Sequence, residues 1–360
     1  MARRRLAVLY SEPGSYTQAC LRTLRDSYGW EILAIHYPTS KDAPFAQNPL
    51  RKIAKCVDRT QLNSAAEITD CVRHFGAEIL QIAGWMDRGY LAAARQLRKL
   101  GIPVIAGSDT QYSGSLRQKV ASVVSPWYLK NAIDVLWVTG ERQRVFADKL
   151  GYRGRLCWTG MYCCDFEKFA LAGKSNARNP TFLFVGRYVE AKGLDVLVRA
   201  YREYRMRTPV PWRLQCVGTG PLKSTLRGIE GLDDLGFVQP DELPEIMSHA
   251  SVFVLPSRKE PWGVVVQEAA AAGLPIICSD AVGASVHLVR EGFNGFTFLS
   301  ESVGELTDRM LEISAMPEEH LDEMSRNGRS LASQYTPELW ARTLVNGVEQ
   351  LLSRGSVQKS

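Results

Sequence analysis

The stretch Glu260-Pro-Trp-Gly-Val-Val-Val-Gln-Glu268 follows a run typical of a buried strand, Val252-Phe-Val-Leu-Pro256, and leads into a helix of small residues that ends at Gly273. It predicts a glycine turn at the carboxyl end of a strand, which is where an open parallel sheet binds ligands. Backbone amides at the start of the helix would face an anion such as a pyrophosphate. Two carboxylates would repel that anion, so we assign them to hydroxyl groups on either side of it.

Strand and helix patterns alternate in both halves of the chain, which predicts two doubly wound parallel sheets. The length of 360 residues also favours two domains. The predicted strands of the first half lie at 6–10, 30–37, 77–83, 102–106 and 132–138, and residues 38–60 are expected to be irregular. After a linker at 170–180 the pattern restarts, with strands at 181–185, 212–217, 234–238, 251–255 and 275–278. An amphipathic helix is predicted at 338–352.

The composition, with 45% hydrophobic and 23% charged residues, is that of a soluble globular protein. The apolar run at 6–10 is too short for the core of a signal peptide, and no stretch reaches the ~18 apolar residues of a transmembrane helix. The eight cysteines form no Cys-x-x-Cys pair, as is typical of thiols in a reducing compartment. We therefore expect a cytoplasmic protein whose cysteines bind no metal.

The net charge of +6 is unevenly distributed. Residues 1–170 carry 24 Lys and Arg against 15 Asp and Glu, and the remainder carries 20 against 23. A basic first half fits either a solvated surface or an acidic partner, such as an anionic membrane, a lipid-linked phosphate or a nucleic acid. No helix-turn-helix, zinc or RNA-binding motif is present, so a nucleic-acid partner is not expected.

Two cations follow the first strand of the second half. Arg187 and Lys192 lie at a strand-to-helix turn, where a guanidinium fork and an ammonium can converge on one diphosphate. Positive charge there opposes the helix dipole, and this misfit favours a function over a coated surface. Gly218 is either a simple turn or part of a phosphate loop. Residues 236–238 either present backbone groups to a nucleobase or pack Phe237 into the core.

Together these motifs resemble the retaining GT-B glycosyltransferases of glycosyltransferase family 4. The resemblance rests on motifs in the family's order and spacing: Gly186-Arg187…Lys192-Gly193, Gly218-x-Gly220-Pro221, Leu235-Gly-Phe-Val238, Glu260-Pro-Trp-Gly263…Glu268-Ala269 and Gly292-Phe-Asn-Gly295. It is close over 180–335 and weak over 1–170. It implies an α/β protein of two Rossmann-like domains facing an interdomain cleft. Residues 1–170, joined by a helix at 336–352, would bind the acceptor, and residues 178–335 would bind the donor.

The resemblance also implies a UDP- or GDP-sugar as donor. Arg187 and Lys192 would bind its diphosphate and stabilise the leaving nucleotide, Glu268 would bind the ribose hydroxyls, and Glu260 those of the transferred sugar. The implied donor-contact set is Gly186, Arg187, Lys192, Gly218, Gly236, Phe237, Val238, Glu260, Trp262, Gly263, Val264, Val265 and Glu268. Trp262 either walls the sugar site or packs against the sheet.

No metal or other cofactor is expected, because two cations and the helix amides can supply the charge stabilisation of a divalent ion. The family keeps the anomeric configuration by front-face attack, in which the departing phosphate accepts the proton of the acceptor. This implies that no strong general base is needed.

The sequence departs from the family at three places. Glu12-Pro13-Gly14-Ser15 replaces a Gly-Gly turn, which leaves Gly14 and Ser15 as candidate acceptor-side contacts. Asp109 stands where the family often has a His or Asp near the anomeric carbon, and its role is either catalytic or that of a helix N-cap. Residues 282–287 replace a Gly-Gly-x-x-Glu motif and end in His287, so recognition of the transferred sugar is expected to differ from the family.

Residues 115–130 mix cations with Trp127 and Tyr128. They form either an interfacial surface for a lipid-linked acceptor or a helix whose aromatic side chains pack on the sheet, and we favour packing. The helix at 338–352 is expected to return to the first domain.

The sequence thus predicts a metal-independent, retaining glycosyltransferase. It would act on a glycan or lipid-linked acceptor in surface polysaccharide or lipopolysaccharide biosynthesis, at the inner face of the cytoplasmic membrane, with peripheral contact through the basic first domain. The alternatives are a glycosyltransferase of small metabolites, a sugar-nucleotide epimerase of the same fold, or a nucleotide-binding module without turnover.

Overall fold

A computed structural model describes residues 3–38, 49–172 and 180–357, with side chains to residue 353. The chain divides into two compact units. The first unit runs to Cys163 and includes the segment from Pro337 onward, and the second runs from Cys164 to Thr336. The predicted boundary at 170 lies a few residues too late, because the short helix at 166–170 packs within the second unit. The predicted linker at 173–179 lies outside the described residues.

The first unit contains a parallel seven-stranded sheet. Its order is β3-β2-β1-β4-β5-β6-β7, and the five central strands are lined by fully buried aliphatic residues. The strands are β1 Arg5–Tyr10, β2 Glu31–His36, β3 Lys55–Asp58, β4 Ile79–Ile82, β5 Val104–Ser108, β6 Val135–Val138 and β7 Cys157–Trp158. The helices are α1 Ser15–Tyr28, α2 Ala65–Phe75, α3 Arg88–Lys99, α4 Leu116–Tyr128, α5 Glu141–Lys149 and, near the end of the chain, α13 Pro337–Val357.

The second unit contains a parallel six-stranded sheet in the order β10-β9-β8-β11-β12-β13. Its strands are β8 Thr181–Val185, β9 Arg213–Val217, β10 Leu232–Gly236, β11 Val252–Leu255, β12 Ile276–Ser279 and β13 Gly295–Phe298. Its helices are α6 Phe166–Ala170, α7 Leu194–Arg207, α8 Leu243–Ser248, α9 Val264–Ala272, α10 Ser285–Leu288, α11 Val303–Ser314 and α12 Glu318–Ala332. Strand order reverses between β8 and β11, so the loops after these two strands meet at the switch point of the sheet.

The prediction that residues 38–60 are irregular is wrong for part of that range. Residues 49–52 form a short 3-10 helix, and β3 extends the sheet beside β2, whereas residues 39–48 lie outside the described residues. Strands β7 and β13 were also not predicted. All three strands lie at sheet edges and have two to four residues, so they show little of the buried apolar run that identifies an inner strand.

Helix α13 belongs to the first unit, as the sequence predicts. The indole of Trp340 stacks on that of Trp137, with ring centroids 4.8 Å apart, and its Nε1 donates to the carbonyl of Met161 at 2.9 Å. These buried contacts fix the helix against β6 and the segment that follows β7.

Helix α4 contradicts the interpretation that we favoured for its aromatic residues. Trp127 is 71% exposed and Tyr128 45% exposed, so neither packs on the sheet. The large apolar side chains of this helix face away from the core instead.

Candidate functional site

Three loops of the second unit meet at the carboxyl ends of the central strands. They follow β8 (186–193), β9 (218–220) and β11 (256–263). The loops are so close that a Cβ on Gly218 would collide with the carbonyl of Gly186, and one on Gly193 with the carbonyl of Pro256. Both glycines also have positive φ, of 149° and 67°. Glycine at these two positions is therefore what lets the loops form one continuous surface.

Arg258 links the loops after β8 and β11, and its set of hydrogen bonds is called the brace below. Its guanidinium donates two hydrogen bonds to Asp195 at 2.6 and 2.7 Å and one to the carbonyl of Glu190 at 3.0 Å. It also contacts Glu301 at 2.7 Å, and its backbone amide donates to the carbonyl of Ala191. The hydrogen bonds from Arg258 hold the pKa of Asp195 below its ordinary value. The turn at 190–192 is thus fixed to the loop after β11.

Sequence analysis did not identify this brace. Its members are separated by 63 and 43 residues, and an arginine after a strand carries no signal of its partner. Only the sheet topology brings them together.

The two predicted cations lie in different environments. Arg187, two residues after β8, is exposed. Lys192 lies at the end of the single 3-10 turn that precedes α7, and its Nζ donates to a carboxylate oxygen of Glu260. The side chains of Lys192 and Glu260 are only 18% and 11% exposed. The structure therefore pairs Lys192, the predicted ligand of the diphosphate, with Glu260, the predicted ligand of the transferred sugar.

Helix α9 begins at the same place. Its N-cap, Gly263, has φ 96° and makes no side-chain capping hydrogen bond, so the first-turn amides of Val264 and Val265 are not capped by it. The preceding loop is held from the other side, because the amide of Gly283 donates to the carbonyl of Glu260 and that of Ala284 to Trp262. This is the positive end of a nine-residue helix, where an anion is favoured.

Glu268 lies on the second turn of α9. The side chain keeps part of its surface exposed, but its carboxyl is surrounded by protein, and this desolvation raises its pKa from 4.5 to about 7. The positive charge of Lys168 acts in the opposite direction. Lys168 is itself placed by Asp241, at 2.5 Å, and by the carbonyl of Pro240, at 3.1 Å. Glu268 thus presents a largely desolvated carboxyl close to the start of α9.

Trp262 is 1% exposed and lies in a small aromatic cluster. Its ring centroid is 5.5 Å from that of His287 and 6.2 Å from that of Tyr335. This position favours packing over the wall of a sugar site. His287, on α10, thus contacts the loop that carries Glu260 through Trp262.

The end of β10 adjoins the loop after β9. The carbonyl of Gly236 accepts a hydrogen bond of 2.7 Å from the amide of Gly218. Phe237 and Val238 follow the strand and are partly exposed, so Phe237 is not a core residue. The backbone beyond β10 therefore remains a candidate for contact with a base.

In the first unit, the turn before α1 and the end of β5 are linked by tyrosines. Gly14 is the N-cap of α1, and Tyr16 on that helix packs edge-on against Tyr162, with centroids 5.1 Å apart. Asp109 is close enough for its charge to raise the pKa of both phenols, although burial is the larger cause. The N-cap of α4 is Ser115, which excludes that alternative for Asp109. Gly14, Ser15 and Asp109 thus share one edge of the sheet.

No group of three or more His, Cys, Asp or Glu side chains in residues 3–38, 49–172 and 180–357 is arranged to hold a metal ion. Within the same ranges, no helix has the length and apolar character needed to cross a membrane.

Comparison with known proteins finds similarity within the second unit. Residues 165–331 match the family of glycosyl transferases group 1. An uncharacterized glycosyltransferase of Methanocaldococcus jannaschii is 29% identical over 165 residues, which are 43% of this chain and 44% of that protein. The GDP-mannose-dependent alpha-(1-6)-phosphatidylinositol monomannoside mannosyltransferase of Mycobacterium tuberculosis is 34% identical over 148 residues, 37% of this chain and 38% of that protein. The chain thus spans less than half the length of either relative.

Solved structures extend the likeness to both units. Anabaena HepE, in complex with UDP and glucose, superposes with a TM-score of 0.75 over 97% of this chain and 100% of that one, at 16% identity. This confirms the predicted fold class, two Rossmann-like units of the GT-B type. The second unit is thus similar to the glycosyl transferases group 1 family over residues 165–331, and both units share the fold of these solved structures.

Proposed function

We propose that the protein is a retaining glycosyltransferase that transfers a sugar from a UDP- or GDP-sugar to a glycan or lipid-linked acceptor. The observation that carries this proposal is the meeting of Lys192, Glu260 and the start of α9 on loops at one switch point. A cation, a set of helix amides and a flanking carboxylate match a diphosphate with a sugar beside it.

Each residue has a defined role in the proposed reaction. Lys192 and Arg187 bind the diphosphate, and the amides of Val264 and Val265 add the positive end of α9. Glu260 accepts hydrogen bonds from hydroxyls of the transferred sugar, and Glu268 accepts them from the ribose. The names of relatives are in keeping with such a donor, since one is GDP-mannose-dependent and another is described with UDP and glucose.

In the proposed chemical step, the bond between the anomeric carbon and the phosphate oxygen breaks while the acceptor oxygen attacks from the same face. The acceptor proton passes to the departing phosphate, so the electron pair of the broken bond ends on a protonated nucleoside diphosphate. Lys192, Arg187 and the helix amides stabilise the charge that develops on that phosphate, which is the task of a metal ion in other transferases. Asp109 would act near the anomeric carbon.

The proposed acceptor is inferred from the charge of the first half of the chain. The basic first half of the chain fits a glycan or lipid carrying phosphate, as in surface polysaccharide assembly at the inner face of the cytoplasmic membrane. Its contacts would come from the turn at Gly14 and Ser15.

Thermal-shift measurements with UDP, GDP and ADP, followed by their sugars, test the donor. We expect a rise in Tm with UDP or GDP, loss of that rise in Lys192→Ala, and release of nucleotide when a sugar acceptor is supplied. An anomeric configuration inverted in the product would overturn the mechanism, and binding without any turnover would favour a nucleotide-binding module instead.

A further inference from the structure

Helix α4 carries an apolar stripe that faces solvent. Its residues recur at intervals of three and four, which places them on one side of an α-helix. The stripe, with exposed fractions in parentheses, consists of Leu116 (78%), Val120 (54%), Val123 (67%), Val124 (44%) and Trp127 (71%). Single exposed apolar residues are ordinary, but a contiguous stripe of five large ones marks a contact surface.

The opposite side of α4 is the side that is attached to the protein. Ser125 is buried and donates from its Oγ to the carbonyl of Leu150 at 2.8 Å, and Leu129 is buried just beyond the helix. The side chain of Gln118 donates to the carbonyl of Gln111 at 2.7 Å. The usual arrangement of a surface helix is therefore reversed, with small or polar groups inward and large apolar groups outward.

Cations border the stripe on both sides. At 100° per residue, Arg117 and Lys119 fall on opposite flanks of it, and both are exposed. Lys130 follows the helix, and the sequence from 110 to 133 contains no Asp or Glu. The charged side chains that this segment contributes are thus all cationic.

Aromatic residues lie at the carboxyl end of the same helix. Tyr128 is 45% exposed next to Trp127, and the guanidinium of Arg95 lies 4.7 Å from its ring centroid. Trp and Tyr are the residues that concentrate at the boundary between lipid headgroups and acyl chains, because they combine an apolar ring with a polar edge.

We propose that the stripe on α4, with Arg117 and Lys119 beside it, docks the protein on the surface of an anionic lipid bilayer. Apolar side chains would enter the boundary of the acyl chains while the flanking cations meet the headgroup phosphates. A second copy of the chain fits this surface less well. A symmetric pairing of two such faces would oppose cation to cation, and no acidic residue in 110–133 could relieve the repulsion.

Membrane docking deepens the proposed function, because it would bring the protein to a lipid-linked acceptor. It rests on the proposed function for that purpose alone. Docking itself requires neither donor nor acceptor. Failure to bind vesicles and failure to transfer sugar are therefore separate results.

Flotation of the full chain with phosphatidylcholine vesicles, with and without phosphatidylglycerol, tests the proposal. We expect binding to the vesicles that contain phosphatidylglycerol, weakened by high salt. The double variant Val123→Asp/Trp127→Ser should reduce the partition coefficient at least about tenfold, because it removes apolar contact and adds an anion. Arg117→Glu/Lys119→Glu should abolish the preference for phosphatidylglycerol.

Matched controls keep the result interpretable. Val210→Asp alters an apolar residue that is 78% exposed in the second unit, and it should leave flotation unchanged. All the substituted stripe residues are exposed, so an unchanged Tm should accompany each variant. Equal flotation of wild type and Val123→Asp/Trp127→Ser would overturn the proposal. So would a stripe variant that converts a dimer to a monomer without affecting vesicle binding.

Discussion

Lys192 and Glu260, 68 residues apart in sequence, form a hydrogen-bonded ion pair between the loops after β8 and β11. Both side chains are mostly buried, so each depends on the other to offset the loss of solvation. A diphosphate at the proposed position would compete with Glu260 for Lys192. Binding of the donor would then release Glu260 toward the hydroxyls of the sugar. The ion pair would therefore couple recognition of the diphosphate to recognition of the transferred sugar.

Glu260→Gln separates these effects. We expect nucleoside diphosphate alone to bind several-fold more tightly, because Lys192 no longer has a competing anion. Transfer should fall at least about 100-fold, because the carboxylate that orients the sugar is lost. Titration calorimetry with UDP or GDP and steady-state kinetics measure the two quantities.

Lys192→Ala should weaken both nucleotide binding and turnover. Arg207→Ala serves as a control, since it removes a cation that pairs with Asp308 on the surface of the same unit. Weaker nucleotide binding in Glu260→Gln would contradict the competition between Glu260 and phosphate.

Glu268 predicts a pH dependence of nucleotide binding. A carboxylate that accepts hydrogen bonds from two ribose hydroxyls must be ionised, and burial places its pKa at about 7. We therefore expect affinity to rise as pH increases through 7 and to change little above 8. Glu268→Gln should bind weakly and without that rise. A wild-type affinity independent of pH between 6 and 8 would remove Glu268 from the ribose site.

The same residue predicts an effect on stability. Because its folded pKa is raised from 4.5 to about 7, the folded state holds this proton more tightly, and stability is lost as pH rises between those values. Glu268→Gln should thus be more stable than wild type at pH 8, by up to about 3 kcal/mol at 1.4 kcal/mol per pKa unit, and nearly equal to it at pH 5. Lys168→Met removes the positive charge that lowers the pKa of Glu268. The rise in nucleotide affinity should therefore occur at a higher pH in this variant than in wild type.

Arg258→Lys tests the brace of the turn at 190–192. Lysine cannot form the two-pronged contact with Asp195, so we expect a loss of about 1–2 kcal/mol of stability. The KM for the donor should rise more than kcat falls, since Lys192 is positioned less well rather than removed. Arg309→Lys is the matched control, because Arg309 contacts Glu291 and Glu312 away from these loops. An equal rise in KM in the control would show a general loss of stability instead.

Asp109→Asn should reduce transfer while nucleotide binding stays unchanged, because Asp109 belongs to the first unit and the proposed nucleotide site to the second. The comparison of kcat with the calorimetric Kd for UDP or GDP measures this. If transfer is untouched, Asp109 has only a structural role.

Prolonged treatment with EDTA should leave the transfer rate unchanged. The charge of the leaving phosphate is assigned to Lys192, Arg187 and the start of α9, and none of these needs a divalent ion. Activity that disappears with EDTA and returns with added Mg²⁺ or Mn²⁺ would refute that assignment.

The sequence predicted the inner strands of both sheets and the positions of the site loops. Buried strands appear as apolar runs, and Gly186, Gly218 and Gly263 mark the turns that follow them. It did not predict β3, β7 or β13, because short edge strands lack that run.

Sequence analysis also could not give the contacts that depend on the folded topology. Arg258 meets Asp195 only because β8 and β11 are neighbours, and the pairing of Lys192 with Glu260 has the same cause. For α4, the sequence could not show that Trp127 and Tyr128 point outward, because the aromatic residues of a surface helix ordinarily pack inward.

The stacking of Trp340 on Trp137 has a consequence for how the two units can be expressed separately. In the sequence, the second unit (residues 164–336) is inserted between Met161 and helix α13. Trp340 on that helix nevertheless donates a hydrogen bond to the carbonyl of Met161. Cutting the gene at one point cannot yield an intact first unit. Excision of 164–336, with a short glycine-serine bridge between the remaining ends, should instead yield two separately expressible proteins.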